Sequence, residues 1–349
     1  MHREVDSSRR SLAAYTYRVL IAVAVASLAF LLWQLSHVLM IAFGGVLLAA
    51  VLRALSDPLD RITPLSSRLS LLIVVIGVIV VVGAAGWLIG GQVTRQLQQL
   101  ADVLPGAIEG VRKWMDRNAL GQILTELGQT GIEGTRGALS RVASVASSTF
   151  GAVANTLLIV FLGLYLAADP SLYRRGLLHL IPPGARDRTG AALDRAGHAL
   201  KRWLLGQFIA MLGVGAVTWA GLYLLGVPQA LSLGLIAGLL EFVPFIGPIL
   251  AAIPALLVGF AQGGMTPLYV ALLYLGIQQV EGYLLMPLVQ KWAVSLPPAL
   301  TILGVVVFGL LFGPLGVLFA TPLMVVVMVL VQTLYVDAAL EHKPAPAGR

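Results

Sequence analysis

Two acidic residues, Glu241 and Glu281, interrupt a long apolar part of the chain. Between Arg202 and Asp337 the only other formal charge belongs to Lys291. A charged side chain at the depth of a bilayer costs roughly 2.5–3.5 kcal/mol even on lenient scales, and such residues commonly mark ion or substrate pathways. The alternative is that they join packed helices through hydrogen bonds. Because carboxyl groups at this depth can exchange protons or bind a cation, we take both glutamates as candidate pathway residues.

Three further polar side chains accompany the glutamates. Tyr274, Gln278 and Glu281 follow one another at i, i+4 and i+7, which places them on one face of a helix predicted over residues 267–286. Gln207 lies in the preceding apolar segment. For the glutamines, hydrogen bonding between packed helices, worth about 1 kcal/mol each, is an equally good explanation. The candidate pathway residues are therefore Glu241, Glu281, Gln278, Tyr274 and Gln207.

Two proline-containing sequences predict breaks in the apolar helices. In Glu241-Phe-Val-Pro-Phe-Ile-Gly-Pro248 both prolines lack a backbone N–H donor, so the helix that carries Glu241 is expected to end there. A new helix is expected to begin at the Gly-Pro pair, with its positive dipole end deep in the membrane. A second Gly-Pro pair predicts another restart nearer the C-terminus. The predicted break residues are Pro244, Gly247, Pro248, Gly313, Pro314 and Gly316.

The breaks and the glutamates lead to one hypothesis about a site. Backbone groups freed at a helix break must find partners in protein or water. We therefore predict that Glu241 and Glu281 line one water-accessible cavity, with the two Gly-Pro breaks at its ends. Residues 229–261 would form a re-entrant or sharply broken pair of helices. The sequences that follow Gly247 and Gly316 are also alike, which suggests a weak internal repeat.

The composition is that of a multi-spanning membrane protein. Hydrophobic residues make up 58% of the 349 residues and charged residues 11%, and the mean hydropathy is +0.91. The net charge is +7. The basic residues lie in short loops and near the N-terminus, as orientation by cytoplasmic Lys and Arg predicts, and not in the aromatic-interleaved stripes of a nucleic-acid-binding protein. We therefore expect no nucleic acid as a partner.

Several catalytic and cofactor motifs are absent from the sequence. It contains no Gly-Lys-Ser/Thr of a nucleotide-binding loop, no HExxH zinc motif, no Gly-x-Ser-x-Gly elbow and no cysteine. We therefore predict that the protein is not an enzyme and binds no metal or cofactor. Transport, if that is its function, would run on an ion gradient or downhill.

The fold class predicted is all-α: a polytopic membrane helix bundle of about eight spans, with broken or re-entrant helices in the C-terminal half and a small extramembrane helical insert. In chain order we expect a cytoplasmic tail (1–18), three spans (19–91), the insert (92–148), a fourth span (149–168), a basic cytoplasmic segment (169–203), a transport core (204–336) and a tail (337–349).

Two segments outside the spans have distinct compositions. The insert has six basic and five acidic residues with apolar positions at helical spacing, and we predict two or three amphipathic helices broken near Leu104-Pro105-Gly106 and around residues 128–137. Their apolar faces either pack on one another or form an interface with another copy or partner. Residues 169–202 have seven basic and three acidic side chains, for which anionic lipid headgroups are the expected partners.

The motif residues resemble those of a known family. Glu241-Phe-Val-Pro-Phe-Ile-Gly-Pro248, Gln278-x-x-Glu281, Leu296-Pro297 and Gly313-x-x-Gly316 are similar to motifs of the autoinducer-2 exporter family, the AI-2E transporters or PerM permeases. The resemblance implies a multi-pass protein of the bacterial inner membrane, with some members linked to autoinducer-2 export and others to Na⁺(Li⁺)/H⁺ antiport. The chain departs from the pattern at Tyr283, where the family often has Asn.

Three functions are consistent with these residues. The first is a secondary transporter or exporter of a small solute, driven by H⁺ or Na⁺ or running downhill. The second is a cation/proton antiporter. The third, from another class, is a membrane scaffold that does not transport and assembles through residues 92–148. Glutamates at bilayer depth favour transport, because a scaffold has no need of them.

Overall fold

The computed structural model describes residues 34–64, 66–117, 149–285 and 297–337, with isolated positions between 20 and 30. Every regular element in these ranges is a helix, which confirms the all-α class. The helices are α1 (Ser36–Ile62), α2 (Ser67–Arg117), α3 (Thr149–Ala168), α4 (Pro170–His179), α5 (Arg186–Leu224), α6 (Ala230–Leu240), α7 (Ile246–Gln262), α8 (Thr266–Val280), α9 (298–312) and α10 (314–331). Single π-helical turns follow α8 (Glu281–Leu285) and α10 (Gln332–Val336).

Several of these helices are long and apolar enough to cross a membrane. Within the described part of the chain they are Ser36–Ile62, Ser67–Trp87 and Pro183–Leu224, which is α5 with the turn before it. The Pro298–Val336 segment has the same length and composition but is interrupted at Gly313. A further span is obtained if α3 and α4, which meet at 89°, are counted as one bent span. Helices α6 and α7 are shorter, because they are the two arms of one broken helix. The prediction of a polytopic helical bundle with broken helices is confirmed.

Helix α2 corrects one prediction about the insert. It is a single helix of 51 residues, about 77 Å long, and so extends well beyond the thickness of a bilayer. It passes through Pro105 without ending, so the break predicted near Leu104-Pro105-Gly106 is wrong. One proline removes a single backbone hydrogen bond, and the helical turns on both sides of it suffice to keep the helix continuous. The second predicted break, around residues 128–137, lies outside the described residues.

Helices α6 and α7 form a hairpin that enters and leaves the bundle at one end. The side chain of Gln262, at the end of α7, donates a hydrogen bond of 3.1 Å to the carbonyl of Gly226, just before α6. A continuous helix would place these two residues more than 50 Å apart, at about 1.5 Å per residue. The chain therefore turns back between α6 and α7.

Helices α9 and α10 form a second hairpin. Between them, Gly313 has φ 66° and ψ −149°, a conformation that glycine adopts without strain. Gly304 lies against the side chain of Met324, and Gly309 lies against Val317. These contacts join residues on the two arms, so α9 and α10 pack antiparallel instead of continuing as one helix.

Helix α5 is the element on which both hairpins pack. Its C-terminal half forms a core with the first hairpin and α8, in which Leu222, Leu233 and Val258 are almost fully buried. Its N-terminal half forms a second core with α1 and α10, around Trp203 and Val325. Because α5 spans the bundle, it fixes the positions of the two hairpins relative to each other.

The approach of α6 to α5 is unusually close because small residues face each other. Gly234 and Gly238, spaced by four, pack on Gly215 of α5. A Cβ atom on Gly238 would lie 2.7 Å from the carbonyl oxygen of Met211. Small residues at this spacing let membrane helices pack backbone to backbone. The first hairpin is thus held tightly against α5.

Charged contacts gather at one end of the bundle. Arg53 of α1 donates to the carbonyl of Ala167 at the end of α3, at 2.7 Å, and Lys201 of α5 forms an ion pair of 2.6 Å with Asp57. Arg195 pairs with Asp337 beyond α10. The segment around the connection of α1 to α2, residues 53–68, therefore shares one end with the predicted cytoplasmic segment 169–203, and we call this end the basic end. The second hairpin opens at this end and the first hairpin at the other.

Candidate functional site

Glu241 lies at the tip of the first hairpin. It caps the C-terminus of α6, and the chain then turns through Phe245, whose φ of 67° is rare for a residue with a side chain. The prolines in this stretch prevent α6 from continuing, and α7 begins at Ile246. A Cβ atom on Gly247 would overlap the carbonyl oxygen of Leu240, so only glycine fits where the arms meet.

Glu281 meets Glu241 from a different helix. It stands at the first position of the π-turn that follows α8. The two carboxyl groups are within hydrogen-bonding reach of each other, although the residues are 2% and 7% exposed. The hairpin and α8 thus bring together two acids that are distant in the sequence.

A hydrogen bond between two carboxyl groups requires a proton on one of them, because two adjacent carboxylates repel each other strongly when water is excluded. None of the ion pairs among the described residues involves either acid. Lys291 lies outside the described residues. The second carboxyl oxygen of Glu241, Oε2, is buried without a hydrogen-bond partner. Such an atom is suited to accept a proton, a cation or a polar group of a solute.

The glutamines hold this arrangement in different ways. Gln278 donates a hydrogen bond of 3.1 Å to Oε2 of Glu281, one turn further along the chain. Gln207 of α5 is buried and donates a hydrogen bond of 2.6 Å to the backbone carbonyl of Glu241. Gln278 therefore contacts a carboxyl group directly, whereas Gln207 positions the hairpin tip that carries one.

Tyr274 does not join the carboxyl groups. Its hydroxyl donates to the carbonyl of Ala251 on α7, at 3.2 Å, and so ties α8 to the outgoing arm of the first hairpin. Tyr283, two residues after Glu281, is 81% exposed and points away from the pair. The departure from the family pattern at this position therefore does not alter the surroundings of the two acids in this conformation.

The second hairpin brings its tip to the same region. Phe312 and Leu315, on either side of Gly313-Pro314, pack on the core around Trp203, and so does Phe242, the neighbour of Glu241. The rings of Trp203 and Phe242 meet edge to face with centroids 5.9 Å apart. A Cβ atom on Gly316 would overlap the carbonyl oxygen of Phe308, as at Gly247 in the first hairpin.

Both carboxyl groups are largely buried in this conformation, since the two residues are 2% and 7% exposed. The close packing of α6 on α5 and the contact of Phe242 with Trp203 contribute to this burial. The water-accessible cavity stays a prediction, because residues 286–296, which follow Glu281, lie outside the described residues. No group of three or more acidic or histidine side chains that could hold a metal ion occurs among the described residues. Within that part of the chain, Glu241 and Glu281 therefore have no third side chain of this kind beside them.

Two residues that hold the first hairpin in place were not predicted from the sequence. Trp203 covers the hairpin tip, but an aromatic residue near the end of a span gives no sign of that role. Gln96 of α2 accepts hydrogen bonds of 3.0 Å from the backbone N–H and the hydroxyl of Ser232 in the first turn of α6. The long helix α2 thus holds the start of the first hairpin, a contact that depends on tertiary structure alone.

Comparison with known proteins gives a consistent picture. The profile of the AI-2E family transporters matches residues 20–335. A candidate transport protein of Mycobacterium tuberculosis is 29% identical over 90% of this chain and 88% of its own length. YueF of Bacillus subtilis, also named as a candidate transport protein, is 26% identical over 82% of both chains. The AI-2 transport protein TqsA of Escherichia coli is 28% identical over 64% of this chain and 59% of its own length.

Proposed function

Because the chain belongs to the AI-2E transporter family, we propose that it is a secondary transporter that exports a small polar solute similar to autoinducer-2. The observation that carries this proposal is the buried Glu241–Glu281 pair at the tip of a broken helix. In many secondary transporters, substrate and coupling ions bind at such breaks. The name of the relative TqsA supports the choice of solute class.

In this proposal the pair holds the coupling ion. A proton shared by Glu241 and Glu281 keeps the pair in the buried form seen here. Loss of that proton, or its exchange for Na⁺ or Li⁺, changes the charge at the tip and favours a conformation in which the tip is open to water. Transport follows if solute and ion reach the tip from different sides of the membrane in the two conformations.

The leading alternative is a Na⁺(Li⁺)/H⁺ antiporter, in which the same pair exchanges a proton for a cation without an organic solute. The pair of carboxyl groups supports this as well, because buried carboxyl groups in membrane proteins serve as sites for protons and cations. A scaffold that does not transport is less well supported, because two buried acids would destabilise the fold and have no role in assembly.

The proposal includes a location and partners. We propose that the protein lies in the bacterial inner membrane with its basic end and N-terminus in the cytoplasm, a proposal that the positive-inside rule supports. Trp87 of α2 is 85% exposed, and only 11% of the apolar window Ser67–Trp87 is buried within the chain. This surface is available to lipid or to a second copy of the chain in a homo-oligomer.

The test is flux in proteoliposomes that contain the purified protein. Autoinducer-2, Na⁺ and Li⁺ are offered in turn, and the internal pH is followed with a dye. The wild type is expected to move one of them with a change in pH, and Glu281→Gln is expected to abolish this coupled movement. Asp102→Asn, which neutralises an exposed acid of α2, is the matched control and should behave as the wild type. Equal flux in Glu281→Gln and the wild type would contradict the proposal.

A further inference from the structure

A cleft of about 600 Å³ opens at the basic end, between α1, α3, α4 and α5 and the start of α2. Its wall on α1 is formed by one helical face, along which Val46, Ala49 and Ala50 are followed by Arg53 and Asp57. The wall therefore changes from apolar to charged over about three turns of helix, roughly 16 Å. This is the order of groups along a phospholipid in a bilayer, from acyl chain to headgroup.

The apolar part of the cleft is open toward lipid. Val46 is 41% exposed although it lies well inside the span α1. Leu166 of α3 and Leu200 of α5 line the same part of the cleft. An acyl chain lying against Val46 and Leu166 would cover apolar surface that the protein leaves open, with the buried Leu200 behind it.

One cation at the charged rim forms no hydrogen bond or ion pair with the described residues. Arg53 donates hydrogen bonds to the carbonyls of Ala167 and Ala168 and to the hydroxyl of Ser67. Lys201 donates to the carboxylate of Asp57. Arg68 also lines the cleft and is exposed, and with respect to the described residues its guanidinium has neither a hydrogen bond nor an ion pair. A guanidinium in this position is suited to bind a phosphate group.

The acidic groups at the rim are satisfied by local donors. Asp169 accepts hydrogen bonds from the Ser171 hydroxyl at 2.7 Å and from the Leu172 N–H at 3.0 Å. These bonds, with smaller contributions from the nearby charges of Arg175 and Arg68, hold the pKa of Asp169 below its ordinary value. Asp57 is paired with Lys201. Three cations and two carboxylates line the cleft, so its net charge favours an anionic ligand.

The outer wall of the cleft is α4, which is oriented as a helix at a membrane surface. It meets the span α3 at 89° and none of its residues is buried. Leu172 and, at the C-cap, Leu180 are 56% and 80% exposed and lie about 80° apart around the helix axis, whereas Arg174, more than about 100° from either, pairs with Asp194 of α5. An apolar side turned away from the protein, next to the end of a span, indicates contact with the headgroup and acyl boundary. The cleft therefore opens at the depth where phosphates lie.

We propose that this cleft binds one anionic phospholipid of the surrounding leaflet, with its phosphate on Arg68 and an acyl chain along Val46, Ala49 and Ala50 of α1. The site is distinct from the carboxyl pair and does not depend on the function proposed above. Such a lipid would join α1, α4 and α5 at the basic end, where the second hairpin opens.

The test is lipid binding to the purified full chain, measured by native mass spectrometry with phosphatidylglycerol as the probe. Arg68→Ala should weaken binding about tenfold, the loss expected from one charge-assisted hydrogen bond. Arg61→Ala removes the same charge from an exposed position of α1 at the same end, outside the cleft, and should change binding less than twofold, as expected of an exposed charge. Equal losses in the two variants would overturn the site, because they would show that only the total charge matters.

Two competing ligands separate a phospholipid from simpler sources of phosphate. Glycerophosphoglycerol, the same headgroup without acyl chains, and inorganic phosphate should both fail to displace the bound lipid. Displacement by either would overturn the assignment of the acyl chain to α1. Phosphatidylethanolamine, which has the same phosphate without net charge, should bind more weakly than phosphatidylglycerol, and equal binding would overturn the preference for an anionic lipid.

Discussion

At the scale of single residues, the scarcity of charge in the apolar half made Glu241 and Glu281 visible in the sequence. The helix breaks also predicted that the two acids line one site, whereas the direct contact of their carboxyl groups could not be predicted, because it depends on the packing of the hairpin and on the length of α8. The same holds for Gln207. As a lone polar residue it was equally consistent with any interhelical contact, and the structure places its amide on the carbonyl of Glu241.

We predict that Gln207→Ala weakens the hairpin tip. The substitution leaves the buried carbonyl of Glu241 without its donor, which costs about 1–3 kcal/mol. The thermal unfolding temperature in detergent should fall, and transport should fall more strongly than the amount of folded protein. Gln279→Ala, a change of the same type at an exposed neighbour of Gln278, serves as the control and should leave both unchanged. Identical behaviour of the two variants would show that the Gln207 contact is unimportant.

At the scale of elements, the breaks were more predictable than the shapes they produce. Pro244 and the Gly-Pro pairs predict where a helix stops, because the missing N–H is a local property. Whether the next helix continues onward or folds back is decided by packing, as between Gly304 and Met324. The same rule failed at Pro105, where α2 continues, because a proline weakens a helix without specifying that it must end.

We predict that Gly247→Ala prevents the first hairpin from closing. The new Cβ atom would overlap a backbone carbonyl oxygen, that of Leu240, which cannot rotate away as a side chain can. A loss of at least about 1–3 kcal/mol is expected from such overpacking. Gly276→Ala is the matched control, since a Cβ atom there meets nothing within 4 Å and alanine favours the helix.

The readouts for this pair of variants are monodisperse elution in detergent and thermal unfolding, followed by transport. Gly276→Ala should equal or exceed the wild type in stability. If Gly247→Ala were as stable and as active as Gly276→Ala, the tight hairpin tip would be refuted.

At the scale of the whole molecule, the two hairpins open at opposite ends of the bundle and their tips pack on one core around Trp203. Hydropathy alone predicted a polytopic bundle. It did not predict that the two hairpins open at opposite ends, because all apolar segments of this length have similar compositions. Residues 53–68 and 169–203 lie at the same end of the bundle, in agreement with their similar charge. Which side of the membrane this end faces remains a prediction from the positive-inside rule.

We predict that the basic end faces the cytoplasm. Because the chain contains no cysteine, single cysteines can be introduced without background. Gly184→Cys, between α4 and α5, should react with a membrane-impermeant thiol reagent only when the cytoplasmic side is accessible, and Asp102→Cys in α2 only from the other side. Reversed labelling of the two positions would invert the topology.

We also predict that transport does not require ATP. The sequence has no nucleotide-binding loop, so flux should persist in proteoliposomes without nucleotide as long as the ion gradients are maintained. Collapse of the gradients with ionophores should abolish uphill transport in the same vesicles. Strict dependence on added ATP would contradict a secondary mechanism.

The role of the carboxyl pair is tested most directly by proton release from the purified protein in weakly buffered detergent solution, followed with a pH indicator. If Glu241 and Glu281 share an exchangeable proton, saturating Na⁺, Li⁺ or transported solute should displace and release about one proton per chain, the number that such a carboxyl pair shares. Glu241→Gln and Glu281→Gln should each abolish this signal, whereas Asp102→Asn should retain it. A signal of the same size in the glutamate variants and the wild type would contradict the central role of the pair. So would the absence of a signal in wild-type protein that is active in proteoliposomes.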